Sequence, residues 1–295
     1  MWRLSGSSPT GDIPDSERNS TSVECSCVFG ISQGLSDLNA GEQVMRMYNG
    51  RTLVVIPHRG ELVFWFLVQK LERKYQYSNA PRFTLEDAAA QCLQVADAPI
   101  ADGIQFEHVW KTRQVFNMVS LEENLFKTWS FGPVVCIGDS MHKMTVNLGQ
   151  GANCAIEDVA VLSNLLRELL TKDLKPTSRD IDVLLRRFND MHFSRVSHIY
   201  NMSWLVARVH ARDGLLRKMI GRYVMPYFGR RFESRPFNMI ADAAALDFLP
   251  LPRSSYSGWK MYKSKDGGAG SWVVARNVFF LLATVMVAYV CRQWA

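Results

Sequence analysis

The chain has 295 residues, of which 47% are hydrophobic and 21% charged, and its formal net charge is +6. That apolar content fills one good-sized core and excludes a globally disordered chain. The positive excess is mild and never gathers into a stripe, since Arg186-Arg187 and Arg230-Arg231 stand in mixed segments, so no nucleic-acid partner is expected.

In chain order, residues 1–22 are polar, contain Gly, Ser and Pro, and read as a flexible N-terminus with no signal-peptide core. A β-sheet domain is expected over residues 23–132. Within it "CSCVFGI" (25–31) reads as a strand that carries Cys25 and Cys27 on one face. "RTLVVIP" (51–57) and "ELVFWFLVQ" (61–69) flank His58-Arg59-Gly60 and predict an antiparallel hairpin. The second of these runs is apolar on both faces, which places it between two packed layers. "TLEDAAAQCLQV" (84–95) predicts a helix with Thr84 as N-cap and Glu86 and Asp87 in its first turn. Asp102-Gly103 marks a turn.

Residues 133–170 form the next segment. "PVVCIGD" (133–139) predicts a short buried strand ending at Gly138, and from Ala152 to Leu170 apolar residues at 156, 159, 162, 165, 166 and 169 recur with helical period. A helical region over 171–255 follows, with a break at Pro176 and Ser178 and a long charged helix from about 179 to 212. Residues 256–271 read as a linker. Residues 272–291 are apolar apart from Arg276 and Asn277, with Trp272 and Tyr289 near the ends, and predict a transmembrane or interfacial anchor, which sets the expected location at a membrane, the endoplasmic reticulum. The six cysteines show no C-x-x-C spacing; they read as buried free thiols, and no metal site is expected.

The chemistry concentrates in "CIGDSMHKMTVNLGQGANCAIEDVAVL" (136–162). Asp139, following Gly138 at the end of an apolar run, is a carboxylate suited to accept hydrogen bonds from a diol, as in ribose recognition. Gly149-Gln150-Gly151-Ala152-Asn153 lets the backbone approach a ligand, and the helix that follows aims free N–H groups and its positive dipole end at the same place. Glu157 and Asp158 read as helix-start residues. There is no Gly-x-Ser-x-Gly, and no third group can be assigned from the sequence to orient His142 beside Ser140, so a hydrolase of triad type fares badly. His142 reads as part of the glycine-bearing turn, and His192, His198 and His210 as polar-face residues.

The ordered string "GDSMHKMTVNLGQGANCAIEDVAVL" resembles the second FAD-binding motif of class A flavoprotein monooxygenases. More narrowly, it is similar to the fungal FAD-dependent monooxygenases of meroterpenoid and indole-diterpene pathways, as are "CVFGIS" (27–32), "FWFLVQKL" (64–71), "PRF" (81–83) with Glu86-Asp87, "LEEN" (121–124) and "FKTW" (126–129). The resemblance implies an α/β (α+β) fold with an antiparallel substrate-side sheet, an FAD-binding strand–turn–helix, C-terminal helices and a terminal membrane helix. It implies that Asp139, with Gly138, binds the ribityl hydroxyls of FAD, and that Gly149, Gly151, Ala152 and Asn153 present backbone N–H groups to the flavin. Phe64, Trp65 and Phe66 line the substrate pocket or belong to the sheet core. No catalytic side chain is assigned. By the resemblance, NAD(P)H reduces the flavin, O2 reacts with it, and one oxygen atom passes to a terpenoid or meroterpenoid substrate, with epoxidation of a prenyl chain the expected outcome.

The sequence departs from that family in two ways. Val146 stands where the family has proline, which restores a backbone N–H beside the flavin. The family's opening Gly-x-Gly-x-x-Gly strand–turn–helix is not found, and Met1-Trp2 aligns with a point well inside the family's chain. The chain is therefore expected to correspond to the C-terminal portion of such an enzyme, with a further N-terminal segment or chain holding the adenosine half of FAD. The alternative is an inactive, membrane-tethered remnant.

Overall fold

The structure is a computed structural model that describes residues 15–35, 37–224, 239 and 242–250. These residues all lie in the first of two units, Met1–Leu251 and Pro252–Ala295. The expected anchor at 272–291 and the linker at 256–271 lie outside the described residues; among the described residues no helix is long and apolar enough to cross a membrane.

A short helix, α1 (Asp15–Arg18), precedes the first strand, β1 (Ser22–Gln33). It corrects the expectation of a featureless N-terminus to residue 22. Glu17 of α1 is buried, and its carboxylate accepts the backbone N–H groups of Lys127 and Thr128, which fixes this stretch by hydrogen bonds to a distant part of the chain that composition cannot reveal. Then come β2 (Val44–Tyr48), β3 (Arg51–Pro57) and β4 (Leu62–Gln76). β3 and β4 pair antiparallel, as the two flanking runs predict. Helix α2 (Leu85–Leu93) starts at Thr84, whose hydroxyl accepts from the Asp87 N–H while the Asp87 carboxylate accepts from Thr84 N–H, a reciprocal capping box.

Two short strands, β5 (Pro99–Ala101) and β6 (Ile104–Gln105), turn through Asp102-Gly103 into helix α3 (Phe106–Lys111), and a long strand, β7 (Arg113–Leu125), follows. After β8 (Ser130–Phe131) and β9 (Val134–Val135) comes β10 (His142–Lys143). The chain then runs into α4 (Gly151–Lys172), α5 (Ser178–His210) and α6 (Gly214–Met219). Thr177 caps α5 through a second reciprocal box with Asp180.

Six strands make one sheet in the order β10-β7-β1-β4-β3-β2, with every pairing antiparallel. One face carries Val28, Leu53, Val55, Trp65 and Leu67 against Ala88 and Cys92 of α2 and Val109 and Trp110 of α3. Cys25, Cys27, Val68 and Leu121 form a smaller buried group, with Phe66 packed on it. Trp65 is fully buried, donates its indole N–H to Ser32 Oγ at 2.9 Å, and meets Phe106 and Trp110 edge-on, so of the three aromatic residues Phe64, Trp65 and Phe66 it is a core residue. Its ring lies where a side chain at position 30 would stand: a Cβ on Gly30 would come within 2.2 Å of it. A separate core joins Trp129, Leu165, Leu184, Leu185, Phe188 and Val196 between α4 and α5.

Two expectations are corrected here. The buried strand over 133–139 is only the two-residue β9, paired antiparallel with β8, with Val134 exposed, since among the described residues no longer strand lies beside it to extend it. On α4, Ile156 and Val159 are 66% and 50% exposed, whereas Glu157 and Asp158 are buried. The inward stripe is instead Cys154, Asp158, Val161 and Leu165, at the spacing of one helix face. The thiols of Cys25, Cys27, Cys92 and Cys154 are free, and burial pushes each up to about 12, so they stay protonated and unreactive. Cys136 is free and half-buried, and Cys291 lies outside the described residues.

Candidate functional site

The stretch from β9 to the first turn of α4 collects the residues singled out from the sequence, with Gly138 and Asp139 before β10 and the glycine-bearing turn after it. Gly138–Ser140 forms a single 3-10 turn in which Gly138 has φ 61° and is buried while Asp139 is exposed. Val146–Leu148 forms another, closed by Gly149 at φ 65° in the left-handed region, where a residue with a side chain is strained. A Cβ on Gly149 would meet no atom within 4 Å, so the left-handed backbone there borders open space. Helix α4 begins at Gly151 behind Gln150, and no side chain among the described residues caps it. Its first turn therefore keeps N–H groups free to receive a ligand. Asn153 turns its amide toward Gln150, donating Nδ2 to Oε1 at 3.2 Å.

Asp139 and Gly151 are neighbours in space: the Asp139 Oδ1 lies 3.8 Å from where a Cβ on Gly151 would sit. The turn thus brings an exposed acceptor carboxylate, Asp139, beside an uncapped helix start formed by Gly151, Ala152 and Asn153, with Gly149 opening the approach. Acceptors for hydroxyls and donors for an electron-rich edge stand side by side. This donor and acceptor set, with the open space at Gly149, fits the polyol and ring end of a flavin nucleotide. Val146 is 45% exposed at the rim of the same turn.

Beneath the turn lies a buried polar layer that the sequence reading missed. Asp158 Oδ2 accepts from the Gly138 backbone N–H at 2.7 Å and lies 2.7 Å from His142 Nε2. The other oxygen, Oδ1, is 3.0 Å from His192 Nε2 on α5 but too poorly aligned for a hydrogen bond. Burial raises the affinity of Asp158 for a proton, yet the His142 and His192 imidazoles and the Gly138 N–H outweigh it and hold the carboxyl down at about 2. It is ionised, so His142 donates through Nε2. The Trp129 indole packs on His142 and His192, with ring centroids 5.6 and 6.1 Å away, and keeps water from the cluster. Among the described residues no group of three His, Cys, Asp or Glu could hold a metal ion.

These contacts correct several readings. Glu157 does not serve the helix start; its carboxylate pairs with the Arg195 guanidinium, which reaches it with Nη2 at 2.8 Å and also donates to the Met239 carbonyl. His192 is buried in the cluster, and His210 is buried at the end of α5; only His198 keeps an exposed position. Pattern could have found Asp158, because it falls on the apolar stripe of α4, where a carboxylate must have partners to be tolerated.

Helix α5 also holds the turn directly. Ser203 donates Oγ to the Thr145 carbonyl at 2.9 Å, and the two hydroxyls lie 3.0 Å apart, with both residues buried. Five residues on, Arg208 grips Glu123 of β7 with two hydrogen bonds at 3.1 and 2.8 Å, reaches Glu24 of β1 at 2.9 Å, and stacks on Trp204.

Comparison with known proteins gives the family. The family described as FAD binding domain matches residues 16–178. The chain is 81% identical over 298 residues to the FAD-dependent monooxygenase dpfgE of Gibberella zeae, a match covering 100% of this chain and 63% of that protein. It is 64% identical over 291 residues to the FAD-dependent monooxygenase dpchE of Colletotrichum higginsianum, covering 98% of this chain and 62% of the relative. The chain thus spans less than two thirds of the length of these relatives. Among solved structures, Klebsiella pneumoniae HpxO complexed with FAD and uric acid superposes with a TM-score of 0.58 at 19% identity, over 75% of this chain and 53% of the other. At that identity the likeness shows the fold alone.

Proposed function

The chain belongs to the FAD binding domain family, and from that premise we propose that it is the flavin-proximal part of an FAD-dependent monooxygenase that acts on a terpenoid or meroterpenoid substrate. The observation that carries this reading is the placing of the exposed Asp139 carboxylate beside the uncapped start of α4, across the left-handed Gly149. Asp139 accepts hydrogen bonds from ribityl hydroxyls. The N–H groups at Gly151, Ala152 and Asn153 receive the electron-rich edge of the ring, where fixed donors stabilise developing negative charge without reorganisation. The redox chemistry, reduction by NAD(P)H and activation of O2, is what FAD supplies when bound. The antiparallel sheet forms the substrate side, and residues 272–291 anchor the chain to a membrane of the endoplasmic reticulum. Epoxidation of a prenyl-chain alkene is the reaction proposed.

A second reading, a flavin-binding chain without turnover, draws on Val146, which places a β-branched side chain and a backbone N–H at the exposed rim of the turn. Titration of the chain with FAD, followed by flavin fluorescence, tests the common premise. Asp139→Ala should weaken binding at least about tenfold, the loss expected from one charge-assisted hydrogen bond. Unchanged affinity in that variant overturns the proposed site. NADPH-dependent O2 consumption with a prenylated substrate separates the catalytic reading from the second one.

A further inference from the structure

Asp158 is fully buried, yet both groups that bond to its Oδ2 belong to the motif that carries Asp139. One is His142, at the start of β10. The other is the backbone N–H of Gly138, the residue immediately before Asp139. Gly138 sits at φ 61°, and a Cβ there would stand 3.2 Å from that of Ala155 on α4, so the turn lies close against the helix. The Ile137–Gly138 peptide, one residue before Asp139, is therefore held by the Asp158 carboxylate, while the Gly138 Cα beside it packs against the helix. Asp158 thus accepts the main chain one residue before Asp139, at the left-handed Gly138 through which the chain enters Asp139.

We infer that Asp158 is a positioning residue for the flavin site: by fixing the Gly138 amide, with His142 as its second tether, it aims the Asp139 carboxylate alongside the first turn of α4. The inference rests on the flavin reading above, since the value of the aim is the fit of Asp139 to the ribityl chain. His192 sits beside the other oxygen of Asp158, and Trp129 closes over the imidazoles, so the tether is dry and its hydrogen bonds are correspondingly strong.

The test compares Asp158→Ala, Asp158→Asn and Glu157→Gln with the unaltered chain, using FAD titration and amide hydrogen exchange at Gly138 and Asp139. Asp158→Ala should speed exchange at Gly138 and weaken FAD binding about 10- to 100-fold, the factor for loss of a charge-assisted bond. Asp158→Asn keeps an oxygen able to accept from both Gly138 and His142, and should retain slow exchange and an affinity within about fivefold of the unaltered chain. Glu157→Gln, next to Asp158 on α4, weakens the ion pair to Arg195 of α5 and leaves the bond to the Gly138 amide in place, and should lower stability without changing FAD affinity.

Full affinity in Asp158→Ala, while Asp139→Ala has lost binding, overturns the positioning role and leaves the flavin site standing. Equal losses in Glu157→Gln and Asp158→Ala also overturn it, because general destabilisation then explains both. Should Asp158→Ala fail to fold, Asp158→Asn decides: fast exchange at Gly138 or a loss of affinity beyond about tenfold is against the proposal. Absence of FAD binding in the unaltered chain removes the proposal together with the reading beneath it.

Discussion

His210 gives the sharpest handle on stability. Its imidazole is buried at the last turn of α5, its Nδ1 finds no partner among the described residues, and burial lowers it from 6.5 to about 4. In the folded chain it is neutral through the physiological range, whereas in the unfolded chain it takes up a proton near 6.5. The unfolded state therefore binds more protons over that window, and stability is complete above pH 6.5 and lost as pH falls toward about 4. Each unit of displacement corresponds to 1.36 kcal/mol, so the full difference amounts to about 3 kcal/mol, with about 2 kcal/mol of it lost between roughly pH 7 and 5. Urea unfolding followed by circular dichroism at a series of pH values measures this directly. His210→Gln stays neutral at every pH, and the difference between its stability and that of the unaltered chain should change by the stated amount across the window. A pH-independent difference would refute the reasoning, since the imidazole would then take up its proton as readily in the fold as in the unfolded chain.

Gly30→Ala places a methyl group against the fully buried Trp65 ring and should lower stability by about 3 kcal/mol, read as a shift of the urea midpoint at unchanged slope. Arg208→Met removes the partner of the buried Glu123 and should cost about 3–5 kcal/mol, most of it recovered in Arg208→Met with Glu123→Gln, where no uncompensated charge remains. Gly149→Ala should cost only about 1 kcal/mol in stability, from the left-handed backbone, but should weaken FAD binding more strongly than that strain accounts for, because the methyl enters the open approach to α4. Equal effects on folding and on FAD titration would sink that last expectation.

Local signals were the ones legible in the sequence. The period-two runs at 51–57 and 61–69 and the Thr84 cap carry their structure within a few residues, and the elements sit where those signals put them. β7 was not legible, since "RQVFNMVSLEENL" mixes polar and apolar residues and becomes a strand by pairing with β1 some ninety positions earlier in the chain. The glycine turn and Asp139 could be picked out because backbone freedom and a carboxylate are written in residue type. Asp158, His142 and His192 could not be assembled, because what unites them is the packing of α5 against α4 around Trp129. The misread face of α4 has the same origin. Hydrophobic periodicity fits a stripe through Ile156 and Val159 as well as one through Cys154, Val161 and Leu165, and the partners of Glu157 and Asp158 show which of the two faces in.

The length of α5 carries a mechanical consequence. Its 33 residues make a rod of about 50 Å, bolted to the glycine turn by Ser203 and to two strands of the sheet by Arg208. A tilt of that rod cannot displace one attachment and spare the other. The glycine turn and the two strands are thereby geared together and move as one block with this end of α5.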